Sequence, residues 1–84
     1  MKLLFAEEAW EDYLYWQKQD KRMVERINKL ICETQRQPFD GMGKPEALKH
    51  ALSGFYSRRI TDEHRMVYRV DGDALLIAQL RFHY

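Results

Sequence analysis

Cysteine is almost absent from this chain of 84 residues. The single Cys32 has no partner for an internal disulfide and no second thiol at metal-ligand spacing, the usage expected in a reducing compartment. Long apolar runs are missing as well. The longest, "LLFA" and "ALLIA", reach four or five residues, against the roughly 20 that span a bilayer. The basic and apolar regions of a signal peptide are also missing. These absences lead to the expectation of a cytoplasmic protein without a membrane partner. Neither charge sign dominates: 14 basic residues face 13 acidic ones, a net charge of +1, so no overall field announces nucleic acid. There are no repeats and no low-complexity stretches. Proline occurs only at Pro38 and Pro45, inside one loop-like segment, "RQPFDGMGKP". A chain this short makes one domain, residues 1–84, with a core barely large enough to stand alone.

What is present is patterned. "KLLFA" reads as a short strand. Glu7 and Glu8 suit the positive end of a following helix, in which Trp10, Tyr13, Leu14 and Gln17 recur at helical spacing, with Ala9 and Trp16 beside them. This cluster is read as core packing. Asp20 can cap a second helix, whose apolar stripe is Met23, Val24, Ile27, Leu30 and Ile31. After the Gly and Pro loop come three strand-like runs, "GFYSRRI", "HRMVYRV" and "ALLIAQLRFH". The fold class is therefore α+β: an N-terminal strand and a helical hairpin packed on one face of a mostly antiparallel sheet, in the order β-α-α-β-β-β.

Alternation then assigns faces. A three-residue loop, Asp71 to Asp73, is expected between the last two runs, pairing Arg65 with Gln79. In that register Met66, Tyr68, Leu76, Leu80 and Phe82 face the helices, while Arg65, Arg69, Arg81 and His83 share the open side. The basic excess is local. Lys44, Lys49, Arg58, Arg59, Arg65 and Arg69 stand against Glu46, Asp62 and Glu63 in residues 44 to 69, whereas residues 1 to 37 hold seven charges of each sign.

A cationic face binds a phosphate backbone. His83 adds a group that exchanges a proton near neutral pH, and Glu46, the only acid between Asp40 and Asp62, can complete an acid and base pair. No cluster with metal-ligand spacing accompanies them, so neither a metal nor a cofactor is expected. A Glu, a His and several Arg suit cleavage of RNA through its own 2′-hydroxyl. Glu46 would take the hydroxyl proton, Arg65 would face the charge on the phosphoryl oxygens, and His83 would protonate the leaving 5′-oxygen. Composition and pattern alone support only a basic-faced α+β domain that binds RNA.

The stretch "GKPEALKHALSGFYSRRITDEHRMVYRV", the opening "WEDYLYWQKQDKR" and the final "RFHY" resemble the YoeB toxins of the RelE/ParE superfamily over essentially the whole chain. The resemblance implies an endoribonuclease that enters the ribosomal A site, cuts mRNA there and stops translation. It also implies a cognate YefM-like antitoxin, which holds the toxin inactive, and contact with operator DNA only as corepressor within the antitoxin complex. Homodimer formation is left open. In that family the proton acceptor falls on Glu46 and the donor on His83. Arg65 and Tyr84 match supporting positions, and Lys49 and Arg59 match basic ones, with Lys44 and Arg81 added here as RNA-binding candidates. Ala47 and Tyr56 depart from the family's usual Pro and Trp. The alternative is a ParE-like module that acts on a protein such as gyrase without cutting RNA, since the fold alone does not separate the two.

Overall fold

The strongest periodic signal in the chain, Met23, Ile27, Leu30 and Ile31, becomes the buried stripe of a helix. The computed structural model describes residues 1–82. Strand β1 (Lys2–Phe5) leads into helix α1 (Glu7–Gln19), then α2 (Lys21–Arg36). Asp20 joins the two helices: its N–H closes α1 on the Trp16 carbonyl, and its carboxylate accepts from the Arg22 N–H at 3.0 Å to cap α2. The long loop ends in a two-residue strand, β2 (Glu46–Ala47), and a 3₁₀ turn at His50–Leu52. Strands β3 (Tyr56–Arg59), β4 (Arg65–Asp71) and β5 (Ala74–Gln79) complete a five-stranded sheet of order β1-β5-β4-β3-β2. All neighbours are antiparallel except β1 and β5. The helical hairpin packs on one face, where Ile27, Leu30, Met66, Tyr68, Leu75, Ile77 and Leu80 form the core. The α+β architecture is as expected, with β2 as an additional edge strand. Among the described residues no helix is long and apolar enough to cross a membrane.

Three expectations need correction. The first concerns α1, which buries Ala9 and Trp16, seven residues apart, while Trp10 and Leu14 stay 49% and 43% exposed. Apolar residues lie on several sides of this helix, so spacing alone did not single out the buried one. Trp10 instead stacks on Tyr13, with centroids 5.9 Å apart, and both meet Phe5 edge-on.

The second is the hairpin between β4 and β5. Its loop has two residues, Gly72 and Asp73, between the paired Asp71 and Ala74. A positive φ at Gly72 alone is the pattern of a II′ turn. A bulge between Val67 and Tyr68 then shifts the register, so that Val67, not Arg65, lies opposite Gln79. The bulge also changes the phase of β5: Leu75 and Ile77 before it and Leu80 after it are fully buried, whereas Leu76 is only half-buried.

The third is the end of the last run, which leaves the sheet at Gln79 rather than continuing to His83. Phe82 is 53% exposed at a φ of 64° and does not anchor the core. His83, placed on the open face from sequence, lies outside the described residues, as does Tyr84.

Candidate active site

Glu46 reaches the sheet because the loop before it is pinned to the core. Arg58 points to the helix side and is fully buried, donating through Nη1 to the Met42 carbonyl at 2.8 Å and through Nη2 to those of Gln37 and Asp40. Its Nε meets the Tyr68 hydroxyl at 3.2 Å, and that hydroxyl donates to the Pro38 carbonyl at 2.6 Å. Gly43 is required here. Its φ is 82°, and an added Cβ would lie 2.9 Å from Leu30 Cδ2 and 3.1 Å from the Arg59 carbonyl oxygen. The Gly43 carbonyl accepts from the Arg59 N–H at 2.8 Å, which delivers the chain to β2 beside β3.

Register then decides the neighbours. Glu46 pairs with Ser57, Ser57 with Val67 and Val67 with Gln79, a row of side chains on the face away from the helices. Two residues along, Arg59 pairs with Arg65 on the same face. With strands about 4.8 Å apart and about 3.3 Å per residue, Glu46 stands one strand and two residues from Arg59. Glu46 is exposed and shares a hollow of about 350 Å³ with Ala47, Leu48, Lys49, His50 and Leu52. Lys49, exposed, opens the 3₁₀ turn, and Lys44 lies just before β2 with a φ of 53°. His50, also in the left-handed region with a φ of 58°, is a further titratable side chain in the hollow, one that sequence reasoning passed over. The signal for it was its place four residues after Glu46.

Arg65 and Arg81 are held differently from expectation. Nη1 of Arg65 donates to the carbonyls of Thr61 and Asp62 at 2.7 and 2.9 Å, so its head lies over the turn before β4. Arg81 does not line up beside Arg65 on the sheet. Its guanidinium stacks on Tyr15 of α1 at 3.6 Å and on Phe82 at 4.4 Å, next to Asp12. Burial raises the Asp12 carboxyl above its ordinary value of 3.8, opposed by the Leu80 N–H it accepts and by Arg81. The structure thus puts Glu46 and Lys49 in one hollow, pairs Arg59 with Arg65 on the same sheet face, and sets Arg81 against α1. Among the described residues no group of His, Cys, Asp or Glu is placed to hold a metal ion.

Two helices on one face of a five-stranded sheet, with the acid on an edge strand and the paired arginines beside it, define a RelE/ParE-like toxin domain. A solved YoeB/ParE toxin from Agrobacterium tumefaciens superposes with a TM-score of 0.98 at 55% identity, covering 100% of both chains. The family model for the YoeB-like toxin of bacterial type II toxin-antitoxin systems matches residues 5–84, and the chain belongs to that family. Toxin YoeB of Escherichia coli strain K12 is 66% identical over 84 residues, 100% of each chain. The toxin in a heterotetrameric YoeB-YefM complex from Staphylococcus aureus is 47% identical at a TM-score of 0.92, covering 100% of this chain and 98% of that one.

Proposed function

We propose that the protein is a ribosome-dependent endoribonuclease that cuts mRNA in the A site and is neutralised by a YefM-like antitoxin. The observation that carries this reading is the row that sets Glu46 on the same sheet face as the directly opposed Arg59 and Arg65. Like charges placed opposite each other across two strands destabilise a sheet, and a phosphodiester lying over this face supplies the opposite charge. Glu46 accepts the 2′-hydroxyl proton, and the 2′-oxygen attacks phosphorus. Arg65 and Arg59 stabilise the charge gathering on the phosphoryl oxygens. The bond to the 5′-oxygen then breaks, and His83 protonates that oxygen. The products are a 2′,3′-cyclic phosphate and a 5′-hydroxyl. Tyr84 supports the reaction, and Lys44 and Lys49 contribute cations for the RNA.

The exposed Glu46 in an open hollow is weak equipment on its own, and orientation contributes several powers of ten to rate. The ribosome supplies that orientation by holding the message in line for attack. The relative from Staphylococcus aureus is known in a heterotetrameric toxin-antitoxin complex, which supports a YefM-like antitoxin as partner; in this reading an acidic antitoxin segment covers the cationic face, and the pair corepresses its operon.

The test adds the purified protein to an in vitro translation reaction and maps message ends by primer extension. Ribosome-dependent cuts are expected, and Glu46→Gln should lose about two to four powers of ten in cleavage rate. Near-normal cutting by a folded Glu46→Gln protein would remove the base from this scheme.

A further inference from the structure

A chain that has left its sheet ordinarily frays, yet residues 80–82 are fastened on every side. The Leu80 N–H donates to Asp12 Oδ2 at 3.0 Å, and its carbonyl accepts from Trp16 Nε1 at 2.9 Å. Two residues on, the Phe82 N–H donates to Nδ1 of His64 at 2.8 Å, and the Phe82 carbonyl accepts from the Arg65 N–H at 3.1 Å and from Gln79 Nε2 at 3.3 Å. Phe82 itself sits at a φ of 64°, a conformation that an aromatic residue holds only when its surroundings over-determine it. Among the described residues, the His64 side chain takes its amide proton. The ring is 12% exposed, lies edge-on to Trp16 at 4.9 Å and tilts against Phe82 at 5.7 Å. An amide N–H only donates, so Nδ1 is unprotonated and the ring proton sits on Nε2, which is 3.5 Å from Glu63 Oε1.

Packing on Trp16 asks only for a flat or apolar side chain. The bond to Phe82 asks for an acceptor at the place of Nδ1. We propose that His64 is a positioning residue for the cleavage reaction: by accepting the Phe82 amide proton it holds the left-handed turn at Phe82, the residue that precedes His83 and Tyr84 in the chain. This rests on the nuclease reading above, in which His83 gives the proton to the leaving oxygen. His64 touches no RNA in this scheme. Its effect passes through the backbone of Phe82, and the adjoining Arg65 N–H closes the same turn on the carbonyl side.

Two variants separate the bond from the packing. His64→Leu keeps bulk against Trp16 and removes the acceptor, whereas His64→Asn places Oδ1 close to the position of Nδ1. Single-turnover cleavage on programmed ribosomes at saturating ribosome concentration should fall about tenfold or more in His64→Leu, the scale of loss from a small misplacement of a reacting group. His64→Asn should recover most of it, and the ribosome concentration giving half-saturation should stay at the wild-type value in both. In the nitrogen-15 spectrum of the wild type, His64 should show an unprotonated Nδ1, and the Phe82 amide proton should move upfield in His64→Leu but not in His64→Asn. Wild-type cutting with an inactive Glu46→Gln control secures the nuclease reading independently of His64. On that background, full-rate cutting by His64→Leu, an equal loss in His64→Asn, or a protonated Nδ1 in the wild type overturns the positioning role alone. The last readout needs no variant to fold.

Discussion

Arg58 and Arg59 stand side by side in the chain and do opposite things, because successive residues of a strand point to opposite faces. Arg59 enters the open face opposite Arg65. Arg58 enters the core opposite Met66 and, without a carboxylate partner among the described residues, spreads its charge over the carbonyls of Gln37, Asp40 and Met42. The flat fork of a guanidinium can reach carbonyls in several directions at once, which a lysine ammonium at the same site cannot. Hydrogen bonds to charged groups contribute about 1.5–3 kcal/mol each, so Arg58→Lys, losing two of them, should destabilise the fold by about 3 kcal/mol or more. Urea unfolding measures this, and a loss below about 1 kcal/mol would show that the loop finds other donors. Tyr68 belongs to the same network. Burial pushes its hydroxyl above the ordinary 10.0, against the pull of Arg58, and keeps it a donor to Pro38.

At the scale of elements, the joint between α1 and the end of β5 decides where the chain goes after the sheet. Asp12 and Trp16, on one side of α1, clasp the N–H and carbonyl of Leu80. The Asp12 carboxyl is raised by burial, so the folded state holds its proton more tightly than the unfolded chain does. The sign follows from linkage: this group contributes stability when protonated, and that contribution is lost as pH rises from the ordinary 3.8 through the raised folded value. It runs against the usual behaviour of paired carboxylates. The stability of the wild type minus that of Asp12→Asn, which keeps an acceptor for Leu80, should therefore decline as pH rises from the ordinary 3.8 and level off once the folded carboxyl is ionised. Denaturant titrations of both proteins across that range give the answer, and a difference that grows with pH would mean that the Leu80 bond and Arg81 outweigh burial.

At the scale of the whole molecule, a net charge of +1 hides a strongly divided surface. Lys49 shares a hollow with Glu46, and Arg59 and Arg65 stand paired on the same sheet face, on one side of a body of 31 × 25 × 24 Å. Binding to RNA on this face should weaken with salt. For a single strand each cation contributes about 0.7 to the slope of log affinity against log salt. Arg59→Ala or Lys49→Ala should each lower that slope by about this amount with the melting temperature unchanged. Fluorescence anisotropy with a short labelled RNA reads the slope, and an unaltered slope in both variants would move the RNA to another face.

Much of this was legible in the sequence, for identifiable reasons. The stripe of α2, the cap at Asp20 and the alternation of β4 are local patterns, and local patterns survive folding: Met23, Ile27 and Leu30 are buried, Asp20 caps, and Met66 and Tyr68 face the helices. Glu46 and Arg65 were named from the residues, and Arg59 and Lys49 from resemblance, before any geometry. What the sequence could not decide depended on contacts between distant segments. The buried side of α1 was chosen by the sheet it met, since Trp10 and Trp16 are equally apolar and only Trp16 reaches the Leu80 carbonyl. The register of β5 turned on a two-residue turn, which sets Leu75 and Ile77 inward, and on a bulge beyond them, which brings Leu80 to the same side; neither leaves a mark in an alternating pattern. The turn at Phe82 met His64, eighteen residues away, whose ring nitrogen takes a backbone proton that no local pattern assigns to it. Periodicity is a property of one segment, whereas register and latch are agreements between two, and only the folded chain brings both parties together.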